Sequence, residues 1–75
     1  MMLSNVQPGS TVIVTGYDKG GHACRAKLLA LGLTRGTKIN VVGIAPMGDP
    51  LHIELRGFHL TLRHSEADHV KVKLF

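Results

Sequence analysis

The chain has 75 residues, with nine Lys and Arg against five Asp and Glu for a formal net charge of +4. This length excludes a second domain, and folding at this size buries only roughly 60% of the surface the unfolded chain exposes. A hydrophobic content of 44% with nine glycines excludes a disordered chain, and a single cysteine, Cys24, excludes an intramolecular disulfide and points to a reducing compartment.

The first fourteen residues lack a basic start followed by an apolar run of signal-peptide length. The longest leucine-rich stretch, Leu28 to Leu33, is far short of the roughly 20 residues that span a bilayer. Neither export nor membrane insertion is therefore expected. Pro8-Gly9 marks a turn, and the β-branched run from Thr11 to Thr15 predicts a first strand that Gly16 and then Gly20-Gly21 interrupt. From His22 to Leu31, Cys24, Leu28 and Leu31 recur at helical spacing, so one helix is predicted with these three facing the core. Gly32 stands where a left-handed cap is wanted, and Leu33 folds back onto the last turn.

Lys38 to Ile44 reads as a second strand, and Ala45-Pro46-Met47-Gly48-Asp49-Pro50 as a loop. Leu51, Ile53 and Leu55 alternate with polar residues, as do Phe58, Leu60 and Leu62 after Gly57. Reversal at Arg56-Gly57 pairs Leu55 with Phe58, Ile53 with Leu60 and Leu51 with Leu62, which puts every apolar residue, Phe58 included, on one core-facing side. Ser65 to Asp68 predicts a short turn capped by Ser65. Val70, Val72 and Leu74 alternate with Lys71 and Lys73 in a last strand. Five short strands and one helix suit a small antiparallel barrel whose closure removes exposed edges.

Catalysis needs a nucleophile beside a base, or paired carboxylates in a walled cleft. The five acids fall in loops or on exposed strand faces, and no enzymatic activity or cofactor is expected. Gly32 to Lys38 superficially resembles a phosphate-binding loop, but it lacks one spacer residue and is followed by a strand instead of a helix. His52, Glu54 and His59 project from one polar face and are the candidate metal ligands, with His64 and Asp68 a second possible meeting across a helical turn; solvated side chains are the commoner explanation for all five. A basic barrel also suits nucleic acid, yet stacking aromatics are scarce, with only Tyr17, Phe58 and Phe75, so nucleic acid is not the expected partner. With Leu28 inward, Leu29 turns to the flank beside Arg25, an apolar spot rimmed by charge that suits either a protein contact or cover by the loop from Gly16 to Gly21.

Leu28-Leu29-Ala30-Leu31-Gly32-Leu33-Thr34-Arg35-Gly36, the Ala45-Pro46-Met47-Gly48-Asp49-Pro50 loop and Leu60-Thr61-Leu62-Arg63, in that order and spacing, resemble the FeoA family of ferrous-iron transport accessory proteins over essentially the whole chain. The resemblance implies a mainly β fold, one SH3-like barrel of about five antiparallel strands with one short helix. It further implies service to FeoB, a membrane transporter with a cytoplasmic GTP-hydrolysing domain. The expected contacts with that partner are Arg25, Lys27 and Leu29 on the helix and Met47, Gly48 and Asp49 in the loop. A cytoplasmic protein drawn to the inner face of the membrane by its partner is the expectation that follows.

Overall fold

The computed structural model describes residues 1–75. Five strands are formed, β1 Thr11–Tyr17, β2 Lys38–Ile44, β3 Leu51–Leu55, β4 Phe58–Leu62 and β5 Val70–Leu74, with helix α1 at His22–Ala30 and a four-residue helix α2 at His64–Ala67. All ladders are antiparallel. The β3–β4 hairpin has the expected register throughout, with Leu51 opposite Leu62, His52 opposite Thr61 and Leu55 opposite Phe58. Its turn places Arg56 at φ 50° and Gly57 at φ 84°, the paired left-handed geometry that matches the twist of a two-residue hairpin.

Alternation along the strands becomes the core. Val12, Val14, Ile39, Val41, Leu51, Ile53, Leu55, Leu62, Val70 and Val72 are buried on the inner face, and Leu28 is the residue through which α1 joins them. Cys24 and Leu31 pack against the same cluster while half-buried. The helix exit is a Schellman motif: Leu33 N–H donates to the Leu28 carbonyl and Gly32 N–H to that of Leu29, both at 3.0 Å, with Gly32 at φ 104°. Leu33 is fully buried as a result.

Four expectations are corrected. Gly16 does not end β1, because the chain bulges between Val14 and Gly16 and pairing continues to Tyr17. Phe58 is 43% exposed, since it sits at the tip of the hairpin on an end strand, beyond the reach of the inner layer. Ser65 caps nothing; the Glu66 carboxylate accepts the Arg63 N–H at 2.9 Å and Asp49 accepts the His64 N–H at 2.9 Å. The hydrogen-bonded order is β4-β3-β2-β1-β5, so β4 and β5 are ends of one curled sheet, and the bulges between Val14 and Gly16 and between Val41 and Gly43 supply the curl. The β5 end is partly covered, because Met1 accepts from the Val72 N–H at 2.8 Å and Met2 bridges Lys71.

The start of the chain carries structure that its sequence pattern did not announce. A 3₁₀ turn at Leu3–Asn5 tucks Leu3 and Val6 into the core at 0% and 4% exposure, where they plug the barrel below β5.

Candidate functional site

The helix presents two different surfaces. Arg25 and Leu29, one turn apart, line a cleft of about 310 Å³ together with Thr15, Tyr17, Arg35 and Lys71. Leu29 is 37% exposed, so β1 forms the opposite wall without covering it. The Arg25 guanidinium lies 5.9 Å from the centre of the Tyr17 ring, and the Tyr17 hydroxyl donates to the Leu33 carbonyl at 2.7 Å. Burial pushes that phenol up to about 12, so it remains a fixed donor at neutral pH. Arg35 is held by a 3.0 Å bond from Nε to the Thr15 carbonyl.

Lys27 belongs to the other side of the helix. Its ammonium meets Glu66 at 2.7 Å, tying α1 to α2, and this bond, followed by the Arg63 N–H, holds the Glu66 carboxyl below the usual carboxylate range. From α2 the connection runs on to the 45–50 loop, because Asp49 accepts the His64 N–H. The expected loop contacts therefore have different characters: Asp49 anchors, Gly48 takes φ 84°, and Met47 stands 91% exposed.

The metal candidates do come together. His52 Nε2 and His59 Nδ1 are 3.0 Å apart and the His59 Nε2 to Glu54 Oε2 distance is 3.8 Å. Their donors are turned to one another and to Asn40, which donates to Glu54 at 3.1 Å, and no three His, Cys, Asp or Glu side chains form a set that could hold an ion. His64 and Asp68 also meet, at 3.5 Å, and Asp68 is shared with the Ser4 hydroxyl. Cys24 fits its expected place as a small packing residue; burial pushes its thiol up, as do Glu66 and Asp18, which keeps it protonated. Two of the three aromatic rings carry a cation, Arg25 over Tyr17 and Lys38 at 4.2 Å from the centre of Phe75.

A His–Asp pair that no local pattern announces closes the far end of β1. His69 Nδ1 donates to the Asp18 carboxylate at 2.9 Å, the Asp18 N–H donates to the His69 carbonyl at 3.1 Å, and the Gly20 N–H reaches Asp18 at 3.2 Å. The two residues are 51 positions apart, so only the fold brings them together. The hydrogen bond from His69 holds the Asp18 carboxyl below its usual value, with Gly20 N–H and Lys71 acting in the same direction against desolvation. Because the folded value is depressed, the stabilisation is present above the ordinary carboxylate pKa of about 3.9 and is lost as pH falls through the folded value. An NMR titration of the Asp18 side-chain carbon is expected to give a midpoint below the ordinary one that rises in His69→Ala. An unchanged midpoint would remove the pairing from the account.

Comparison with known proteins places this geometry. Residues 1–74 match the family model described as the FeoA domain. A Fe(2+) transport protein A/Fe(2+) transporter FeoB fusion protein of Porphyromonas gingivalis is 28% identical over 74 residues, which are 99% of this chain and 9% of that protein. The chain thus corresponds to a small part of the length of that relative. The NMR structure of an FeoA-like protein from Clostridium acetobutylicum superposes with a TM-score of 0.92 at 40% identity, covering 100% of this chain and 86% of that one. The crystal structure of Stenotrophomonas maltophilia FeoA complexed with zinc, described as an SH3 domain protein, gives 0.84 at 29% identity over 97% of this chain and 89% of that one. No helix of this chain is long and apolar enough to cross a membrane.

Proposed function

The chain belongs to the FeoA family of ferrous-iron transport accessory proteins, and from that premise we propose that it docks on the cytoplasmic side of a FeoB-type transporter. There it biases the nucleotide cycle or the assembly of the transporter by binding alone, without chemistry of its own. The observation that carries this reading is the Porphyromonas gingivalis relative, in which the matching segment is one chain with FeoB. Covalent linkage holds two modules at an effective concentration of about millimolar, which favours even a weak contact between them. The exposed features suited to that contact are Arg25 and Leu29 on one flank of α1, and Met47 on the loop that Asp49 fastens to α2, with Gly48 setting its turn and Lys27 at the seam between the helices.

Control by binding requires different affinities for two transporter states, since equal affinity shifts nothing. The test follows directly. Isothermal titration of the purified chain into the cytoplasmic domain of the transporter is expected to show saturable binding whose affinity differs between the GDP and GTP forms, and a strain lacking the chain is expected to import ferrous iron more slowly. Equal affinity for both forms, together with normal import, would overturn the reading.

A further inference from the structure

We propose that the cleft between β1, α1 and β5 is the receptor for an acidic peptide segment that carries an aliphatic side chain. Arg25, Arg35 and Lys71 come from three separate parts of the chain and converge on this one hollow with no carboxylate among its lining residues. None of the three forms a salt bridge within the chain, whose ion pairs are Lys27–Glu66, His59–Glu54, His64–Asp68 and His69–Asp18. Each of the five acids is engaged: Asp18 with His69, Asp49 with the His64 N–H, Glu54 with Asn40, Glu66 with Lys27 and Asp68 with Ser4. Asp18, close enough to feel the charge of Lys71, has its oxygens occupied by His69 and the Gly20 N–H.

The cations are also pre-positioned. Arg35 is fixed through Nε to Thr15, which leaves its terminal nitrogens to the cleft, and Arg25 rests over Tyr17. A guanidinium already oriented loses less freedom when it takes a carboxylate, and its planar fork suits that group in two-pronged fashion. Leu29 adds an apolar wall to the same hollow, which a purely anionic ligand would leave unused. A second hollow of about 290 Å³ adjoins the first along β1, sharing Thr15 and Arg35 and adding Ile13 and Lys73. Charge and apolar surface therefore repeat along one line, as an extended chain with acidic and aliphatic residues would require. Each hollow, near the lower limit of roughly 300 Å³ for small-molecule clefts, has the scale of individual side chains. Nucleic acid is disfavoured because base stacking needs an open ring, and Tyr17 lies under Arg25 with its hydroxyl tied to Leu33.

The inference rests on the docking role proposed above and names the chemistry of that contact. The probe is the capped peptide acetyl-Glu-Leu-Asp-Glu-Leu-amide, titrated into the isotopically labelled full chain by NMR. Saturable shifts are expected at Thr15, Tyr17, Arg25, Leu29, Arg35 and Lys71, with affinity falling as salt is added. The exposed double substitution Arg25→Glu with Lys71→Glu should raise Kd at least tenfold while the remaining spectrum stays dispersed, and Leu29→Ser should weaken binding severalfold. Shifts elsewhere, equal binding of the Gln and Asn version of the peptide, or tighter binding of a twelve-base oligonucleotide at the same residues would overturn the proposal. The transporter domain separates the two readings. If it binds the wild-type and doubly reversed chains alike, the cleft is excluded and docking stands; if the peptide binds and the domain does not, docking is lost and the cleft stands.

Discussion

Leu28→Ala is expected to lower the unfolding free energy by about 3 kcal/mol and the melting temperature by roughly 15 °C. Leu28 is fully buried and is the one buried residue of α1, so truncation removes the anchor of the helix and leaves a cavity that a curled sheet of short strands cannot collapse to fill. A domain of this length has a total stability of roughly 4–11 kcal/mol, which makes the loss a large fraction of the whole. The consequence reaches the site, because Arg25 and Leu29 form one wall of the cleft only while Leu28 seats the helix. Urea denaturation followed by circular dichroism measures the loss, and the NMR signals of Tyr17, whose hydroxyl is bonded to Leu33 just past the helix, report on docking. A cost under about 1 kcal/mol would mean that the helix is held by something other than this side chain.

What the residues reveal in advance divides along physical lines. Alternation over five residues, as in Leu51 to Leu55 and Phe58 to Leu62, determines both the face and the register, since a slip by one residue would invert every side chain. The Gly32 cap was equally legible because its signals are local. Leu3 and Val6 were not, being apolar residues without a period whose burial depends on where the chain end meets β5. Gly16 illustrates the opposite error: a single glycine that reads as a stop lies within a bulge of a continuing strand. For the site, the helix flank bearing Arg25 and Leu29 could be placed by counting 100° per residue. Arg35, Lys71 and the pairing of Lys27 with Glu66 needed the assembled barrel, because no local rule links Arg35 to Thr15 across 20 positions or Lys27 to Glu66 across 39.

Gly21→Ala is expected to destabilise the chain by about 2 kcal/mol in the wild-type background and by only about 1 kcal/mol when His69 is already alanine. Two separate effects meet at this position. Gly21 has φ 65° and ψ 42°, a left-handed conformation, immediately before α1, and an L-residue there carries a backbone cost in any background. A Cβ would in addition stand 2.8 Å from His69 Cδ2 and 2.9 Å from Nε2, closer than real Cβ contacts come. The imidazole can relieve that overlap only by leaving Asp18, and its removal in His69→Ala relieves it outright, so the second contribution should vanish there. Urea titrations of the four chains yield the coupling. The same displacement predicts that the Asp18 carboxyl of Gly21→Ala titrates above its wild-type midpoint, as in His69→Ala. Equal costs in both backgrounds would show that the ring and the loop do not touch.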